Sequence, residues 1–144
     1  MLIIRTALPD DAPEIARLNK LFNGVDEPAA NYAVRLVDAH RVDIPILAEL
    51  DGRVIGLANL RLLPTVFYSE MYAELTELFV EEGYRRHGVG RALVTYAEGL
   101  ALDGGAHEMI ILTDFYNHTA QTLYRALGYQ HRDIALIKML GQEK

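Results

Sequence analysis

The stretch "ELFVEEGYRRHGVGRALVTYAEGLA", Glu77 to Ala101, decides how the chain is read. It opens as the end of an apolar strand and closes as a helix with Val89, Leu93, Tyr96, Ala97 and Leu100 on one face, stopped by Gly104-Gly105. Between the two lies only a short loop with two arginines, a histidine and two glycines. A helix N-terminus offers unpaired N–H groups and a partial positive charge, and Gly88 and Gly90 let an anion approach the backbone. Arg85, Arg86 and Arg91 add planar forks for phosphate oxygens. The stretch is therefore built like a polyphosphate cradle. It is no Walker loop, because Gly90 is followed by Arg91-Ala92 where Lys-Ser/Thr is needed. Nor is it a complete dinucleotide fingerprint: Leu93 stands where a third small residue belongs, although Asp114 lies at about the expected distance.

Elements alternate on both sides of the cradle. "LIIRTA" reads as a first strand, followed by a helix that Asp10 or Asp11 would cap, with Ile15, Leu18, Leu21 and Phe22 at helical spacing. "ANYAVRLVDA" carries a second helical pattern. Two β-rich runs then flank Asp51-Gly52, a dipeptide suited to a type I′ hairpin turn. "YAELTELFV" is the fourth strand, "EMIILTD" a short strand after the cradle helix, "HTAQTLYRAL" a helix stopped by Gly128, and "IALIKML" a last strand. An antiparallel first half joined to a strand-helix-strand crossover predicts an α/β or α+β fold with a central mixed, mostly antiparallel sheet flanked by helices.

With 144 residues the chain is expected to form one domain, residues 1–144. About half of it is hydrophobic (51%) and no run is long enough for a membrane helix, so the expected setting is the cytoplasm, with no membrane partner. The absence of cysteine excludes disulfides, thiolate metal sites and an acyl-cysteine mechanism. A net charge of −6 argues against nucleic-acid binding, and the five histidines show no metal-ligand spacing, so no metal is expected. Eleven arginines against three lysines favour recognition of phosphate or carboxylate.

These motifs resemble the Gcn5-related N-acetyltransferases, which bind acetyl-coenzyme A. The family's Arg/Gln-x-x-Gly-x-Gly/Ala signature is matched by Arg85-Arg86-His87-Gly88-Val89-Gly90, between "LFV" and "RALV". A second pattern, an Asn after the fifth strand, an Ala three on and a Tyr before Gly-Tyr, is matched by Asn117, Ala120, Tyr124 and Gly128-Tyr129. One departure is Glu82, where the family often has proline. The resemblance implies splayed fourth and fifth strands, with the pantetheine arm paired to the backbone of Leu78, Phe79 and Val80, and the pyrophosphate on residues 85–91. It also implies that the Val80 amide polarises the thioester carbonyl, that Tyr124 protonates the leaving sulfur, and that acetyl-CoA is the co-substrate.

Amide formation further needs a neutral amine, and amines arrive mostly protonated, so a carboxylate base is expected. Glu74 matches the catalytic glutamate of the histone-modifying branch and Glu77 an acidic position of small-molecule branches. Their odd separation places them on opposite faces of a regular strand, and a bulge would reverse this. Five carboxylates and no basic residue between Glu70 and Glu82 point to a cation-attracting acceptor side, and hence to a small polar or cationic amine. Asn23, Asp26, Glu27, Asn31, Tyr32, Tyr68 and Tyr72 occupy segments that line the family's acceptor pocket. Two other readings remain: transfer to a protein or peptide amine, and a non-catalytic coenzyme A module. "IALIKML" suits either a homodimer interface or a core strand.

Overall fold

The computed structural model describes residues 1–141, which fall into two compact units, Met1–Ile111 and the segment from Leu112 onward. The first unit is built on one five-stranded sheet with spatial order β1-β2-β3-β4-β5. Strands β1 (Leu2–Thr6), β2 (Asp43–Leu50), β3 (Arg53–Leu63) and β4 (Tyr72–Val80) run antiparallel, and β5 (Ile110–Ile111) joins β4 in parallel. The β2–β3 turn is the expected one: Asp51 and Gly52 both have positive φ, 51° and 85°, as a type I′ turn requires.

Helices α1 (Ala12–Asn23) and α2 (Ala29–Leu36) cover one face of the sheet. Ile15 and Leu18 of α1 and Tyr32 of α2 form a core cluster with Leu47, Leu57 and Phe79. The other face is covered by α3 (Val89–Asp103), since a Cβ on Gly56, the neighbour of Leu57, would lie 3.3 Å from Leu93 Cδ1. Leu93, Val94 and Ala97 of α3 are fully buried. The start of α1 differs from expectation. A short 3₁₀ turn, Pro9–Asp11, precedes it, and the Asp11 carboxylate accepts from Leu8 N at 2.7 Å and from Arg5 at 2.8 Å, making no side-chain cap on α1.

The second unit contains α4 (His118–Ala126). Its end is a Schellman motif: Tyr129 N donates to Tyr124 O at 3.0 Å and Gly128 N to Arg125 O at 3.0 Å, with Gly128 at φ 98°. The expected last strand does not form. Residues 129–140 have no regular structure, and Ile134, Leu136, Ile137, Met139 and Leu140 are 83–90% exposed. Alternation makes a strand only where a neighbouring ladder accepts it, and none does so here. The strand expected from "EMIILTD" is likewise reduced to Ile110–Ile111.

Candidate active site

Strand β4 has an open edge. Its ladder to β5 covers Glu74 and Leu75 only, so the edge from Thr76 to Val80 carries no β5 partner. Glu81 N donates to Ile55 O on β3 at 2.9 Å. Backbone polar groups alternate sides along a strand, so Phe79 and Glu77 also face β3, and the N–H groups of Leu78 and Val80 face the open side. Phe79 has a different role from its neighbours. Its side chain is buried in the α1 face and stacks on Phe22 at 4.7 Å.

The cradle follows directly. Gly83, Arg86 and Gly88 take left-handed φ values of 97°, 67° and 82°, and Gly88 is the N-cap of α3 with no side-chain cap. Ala92 N is the first donor into the helix, bonding Gly88 O at 3.0 Å. The N–H groups of Val89, Gly90 and Arg91 therefore have no partner inside the helix and point out of its N-terminus. Arg86, His87 and Arg91 are exposed around it. Arg85 is placed otherwise: its Nε donates to Val80 O at 2.7 Å and its guanidinium lies 5.7 Å from the centre of the Phe79 ring. It ties the loop back to the end of β4 and fixes the plane of the Val80–Glu81 peptide.

On the α1 face, one extra residue in β4 decides which glutamates meet. Asn59 pairs with Glu77 and Leu60 with Leu75, leaving Thr76 as a bulge. Arg61 pairs with Glu74 and Asn59 with Glu77, so the two glutamates share a face despite their odd separation. Their surroundings differ. Glu74 accepts from Tyr72 Oη at 3.1 Å, and burial, with Glu74 beside it, pushes the Tyr72 phenol above its ordinary pKa. Glu77 accepts from Asn23 Nδ2 at 3.1 Å and lines a cavity of about 260 Å³. Leu57, Asn59 and Thr76 form the sheet side of that cavity, Ile15, Asn19 and Tyr32 its helix side, and Arg35, Arg41 and Arg61 also line it. Asn19 Nδ2 donates to Tyr32 Oη at 2.8 Å, and buried Asn59 donates to Thr76 Oγ1 at 2.9 Å.

Of the acceptor residues expected from sequence, Tyr32 and Glu77 line this cavity and Asn23 touches Glu77. Asp26, Glu27, Asn31 and Tyr68 lie outside the lining: Asp26 faces Lys20, Glu27 accepts from Asn31 and Arg35, and Tyr68 is exposed in the β3–β4 loop. Asn19, Asn59, Thr76 and the three arginines were missed. An Asn in the otherwise apolar run of β3 was the one available signal. The acidic stretch is also less available than its composition implies. Glu81 is engaged by Arg17, 3.0 Å away as an ion pair outside hydrogen-bond direction, and by Arg53 at 3.4 Å.

In the second unit Asn117 caps α4, its Oδ1 accepting from Ala120 N at 3.1 Å, which gives the Asn-x-x-Ala spacing a structural basis. Tyr124 is buried, with its ring 6.1 Å from Tyr129, and burial raises its phenol above the ordinary tyrosine pKa. Its hydroxyl is thus protonated at neutral pH. Among the described residues no group of three His, Asp or Glu side chains is arranged to hold a metal, and no helix is long and apolar enough to cross a membrane.

Several known proteins are similar to this chain in sequence or in fold. The D-amino-acid N-acetyltransferase HPA3 of Saccharomyces cerevisiae is 34% identical over 90 residues, 62% of this chain and 55% of that protein, so the chain matches little more than half of its length. The aminoglycoside N(6')-acetyltransferase type 1 of Stenotrophomonas maltophilia is 27% identical over 90% of this chain and 87% of its own. The crystal structure of an aminoglycoside acetyltransferase, meta-AAC0020 from an uncultured soil metagenomic sample, in complex with sisomicin, has the same fold, with a TM-score of 0.84 over 97% of each chain at 17% identity. A family model described as the acetyltransferase (GNAT) family matches residues 12–129, and the chain belongs to that family.

Proposed function

We propose that residues 1–144 act as one cytoplasmic N-acetyltransferase domain that moves an acetyl group from acetyl-CoA to the primary amine of a small polar molecule, by direct attack in a ternary complex. The observation that carries this reading is the segment Thr76–Val80. Its edge presents the Leu78 and Val80 amides beside the cradle, and its face presents Glu77 to a cavity of about 260 Å³. Two N–H groups at strand spacing suit an amide-bearing arm, as in strand addition, and the free N–H groups of residues 89–91 suit a pyrophosphate. Arg86 and Arg91 would flank that pyrophosphate, and Asn117 and Ala120 are proposed as further cofactor contacts from the family resemblance. The cofactor supplies the activated acyl group as a thioester.

The chain's own residues would do the rest. The Val80 N–H, which faces the open edge of β4, stabilises charge gathering on the acyl oxygen. Glu77, oriented by Asn23, takes the proton from the incoming ammonium, directly or through water, and is preferred to Glu74, which lies outside the cavity lining. Tyr124, kept protonated by burial, supplies the proton that the departing thiolate needs. The two relatives described above act, by their names, on a D-amino acid and on an aminoglycoside, which supports a small amine.

The test is coenzyme A thiol release from acetyl-CoA across a panel of amines, which this cysteine-free protein allows without background. Release with a small amine supports the proposal. Release only with peptide N-termini moves the acceptor to proteins, and tight acetyl-CoA binding with no release from any amine or peptide makes the chain a binding module.

A further inference from the structure

The charges around the cavity are unevenly compensated. Arg35 donates to Glu27 at 2.6 Å, and Arg61 to Asp43 at 2.8 Å, so each is neutralised by a carboxylate. Arg41 is held differently. Its Nε donates to Leu36 O, the last carbonyl of α2, at 2.8 Å, and its Nη1 to Asp43 O. These bonds use two of its five N–H donors, fix the guanidinium, and leave its charge whole, because both acceptors are backbone carbonyls. Among the described residues Arg41 has no ion pair. Glu77 is its counterpart: its hydrogen-bond partner is the neutral Asn23 amide. The cavity thus carries one uncompensated cation and one uncompensated anion, both held in place.

Both side chains line the same cavity. On the shared face Glu77 lies opposite Asn59, which lies opposite Pro45, and Arg61 and Asp43 pair in the next row toward Arg41. Rows on one face are roughly 7 Å apart and strands roughly 5 Å, distances that Glu and Arg side chains narrow to the size of a small molecule. A polycationic amine would meet repulsion at Arg41, whereas a molecule with an amine at one end and an anion at the other would satisfy both ends. We propose that the acceptor is an amino carboxylate, its amine directed at Glu77 and its carboxylate held by the Arg41 fork. This rests on the transferase reading above and narrows its substrate class.

The test compares free α- and ω-amino acids with their carboxamides in the thiol-release assay, in wild type and in Arg41→Gln and Arg41→Lys. Wild type is expected to favour at least one acid over its carboxamide by about tenfold or more in kcat/KM. Arg41→Gln should raise KM for that acid by about 10- to 100-fold, with kcat and the carboxamide little changed, and Arg41→Lys should recover part of the loss. An unchanged melting temperature shows that the variants fold. Carboxamides used as well as acids, or equal loss of both in Arg41→Gln, overturns the proposal while leaving the transferase intact. If no amine turns over, saturation-transfer NMR with the same amino acids decides: binding lost in Arg41→Gln supports the pocket assignment although the transferase reading fails, and no binding overturns it.

Discussion

Glu77 and Tyr124 are the side chains on which turnover should depend, and they should fail in different ways. Tyr124→Phe is expected to lower kcat by about 10²-fold while the Kd for acetyl-CoA, measured by calorimetry, stays the same. Equal turnover by that variant would remove Tyr124 as the acid. Because burial holds its phenol above the ordinary range, the wild-type rate should show no alkaline decline from this group until the pH passes the normal tyrosine value. Glu77→Gln should cost about 10- to 100-fold in kcat and Glu74→Gln only a few fold; a larger loss at Glu74 in the same assay would reverse their roles. The sequence brought both glutamates forward but was unable to rank them. Ranking depends on Thr76 standing outside the β3 register and on Asn23 reaching across from α1, and neither is a property of local sequence.

At the level of elements, tight passages have predictable costs. A Cβ on Gly56 would lie 3.0 Å from Phe79 O and 3.3 Å from Leu93, against a backbone that cannot yield independently of its ladder. Gly56→Ala should therefore lose about 1–3 kcal/mol, seen as a lower urea midpoint at unchanged slope; an unchanged midpoint would mean the sheet relaxes there freely. Elements with local causes were legible. The hairpin at Asp51-Gly52, the cradle and α3, and the Gly128 stop of α4 each have their determinants within a few residues. Elements that depend on a neighbour were not. "IALIKML" has a strand's composition but joins no ladder, and "EMIILTD" keeps two paired residues because its ladder with β4 ends at Leu75.

For the whole molecule, charge is the property whose distribution a sequence shows least directly. A net charge of −6 and an acidic β4 region suggested a cation-seeking acceptor side, yet three arginines line the cavity and Glu81 is bound by Arg17 and Arg53. Net charge averages over a surface, while a site depends on which charges remain unpaired. Paired charges matter instead for acid stability. The hydrogen bond from Arg5 holds the Asp11 carboxyl below its usual range. That contribution is present above the unfolded-state pKa and is lost as pH falls through the lower folded value. Asp11→Asn should be less stable than wild type by about 1–3 kcal/mol at pH 7, with the gap closing in acid. Thermal melts from pH 7 to pH 2 would check this, and a gap constant across that range would show that the pair contributes nothing.

The open side of β4 also sets a clock. Along Glu77–Glu81 the backbone hydrogens alternate between the ladder with β3 and the unpaired edge, so deuterium should enter with a two-residue rhythm: quickly at Leu78 and Val80, slowly at Phe79 and Glu81. A bound molecule that pairs with this edge would slow the fast pair and leave the slow pair nearly as it was. Exchange rates at four consecutive amides would then report occupancy without any turnover, and would distinguish a ligand lying along the strand from one touching only the helix end.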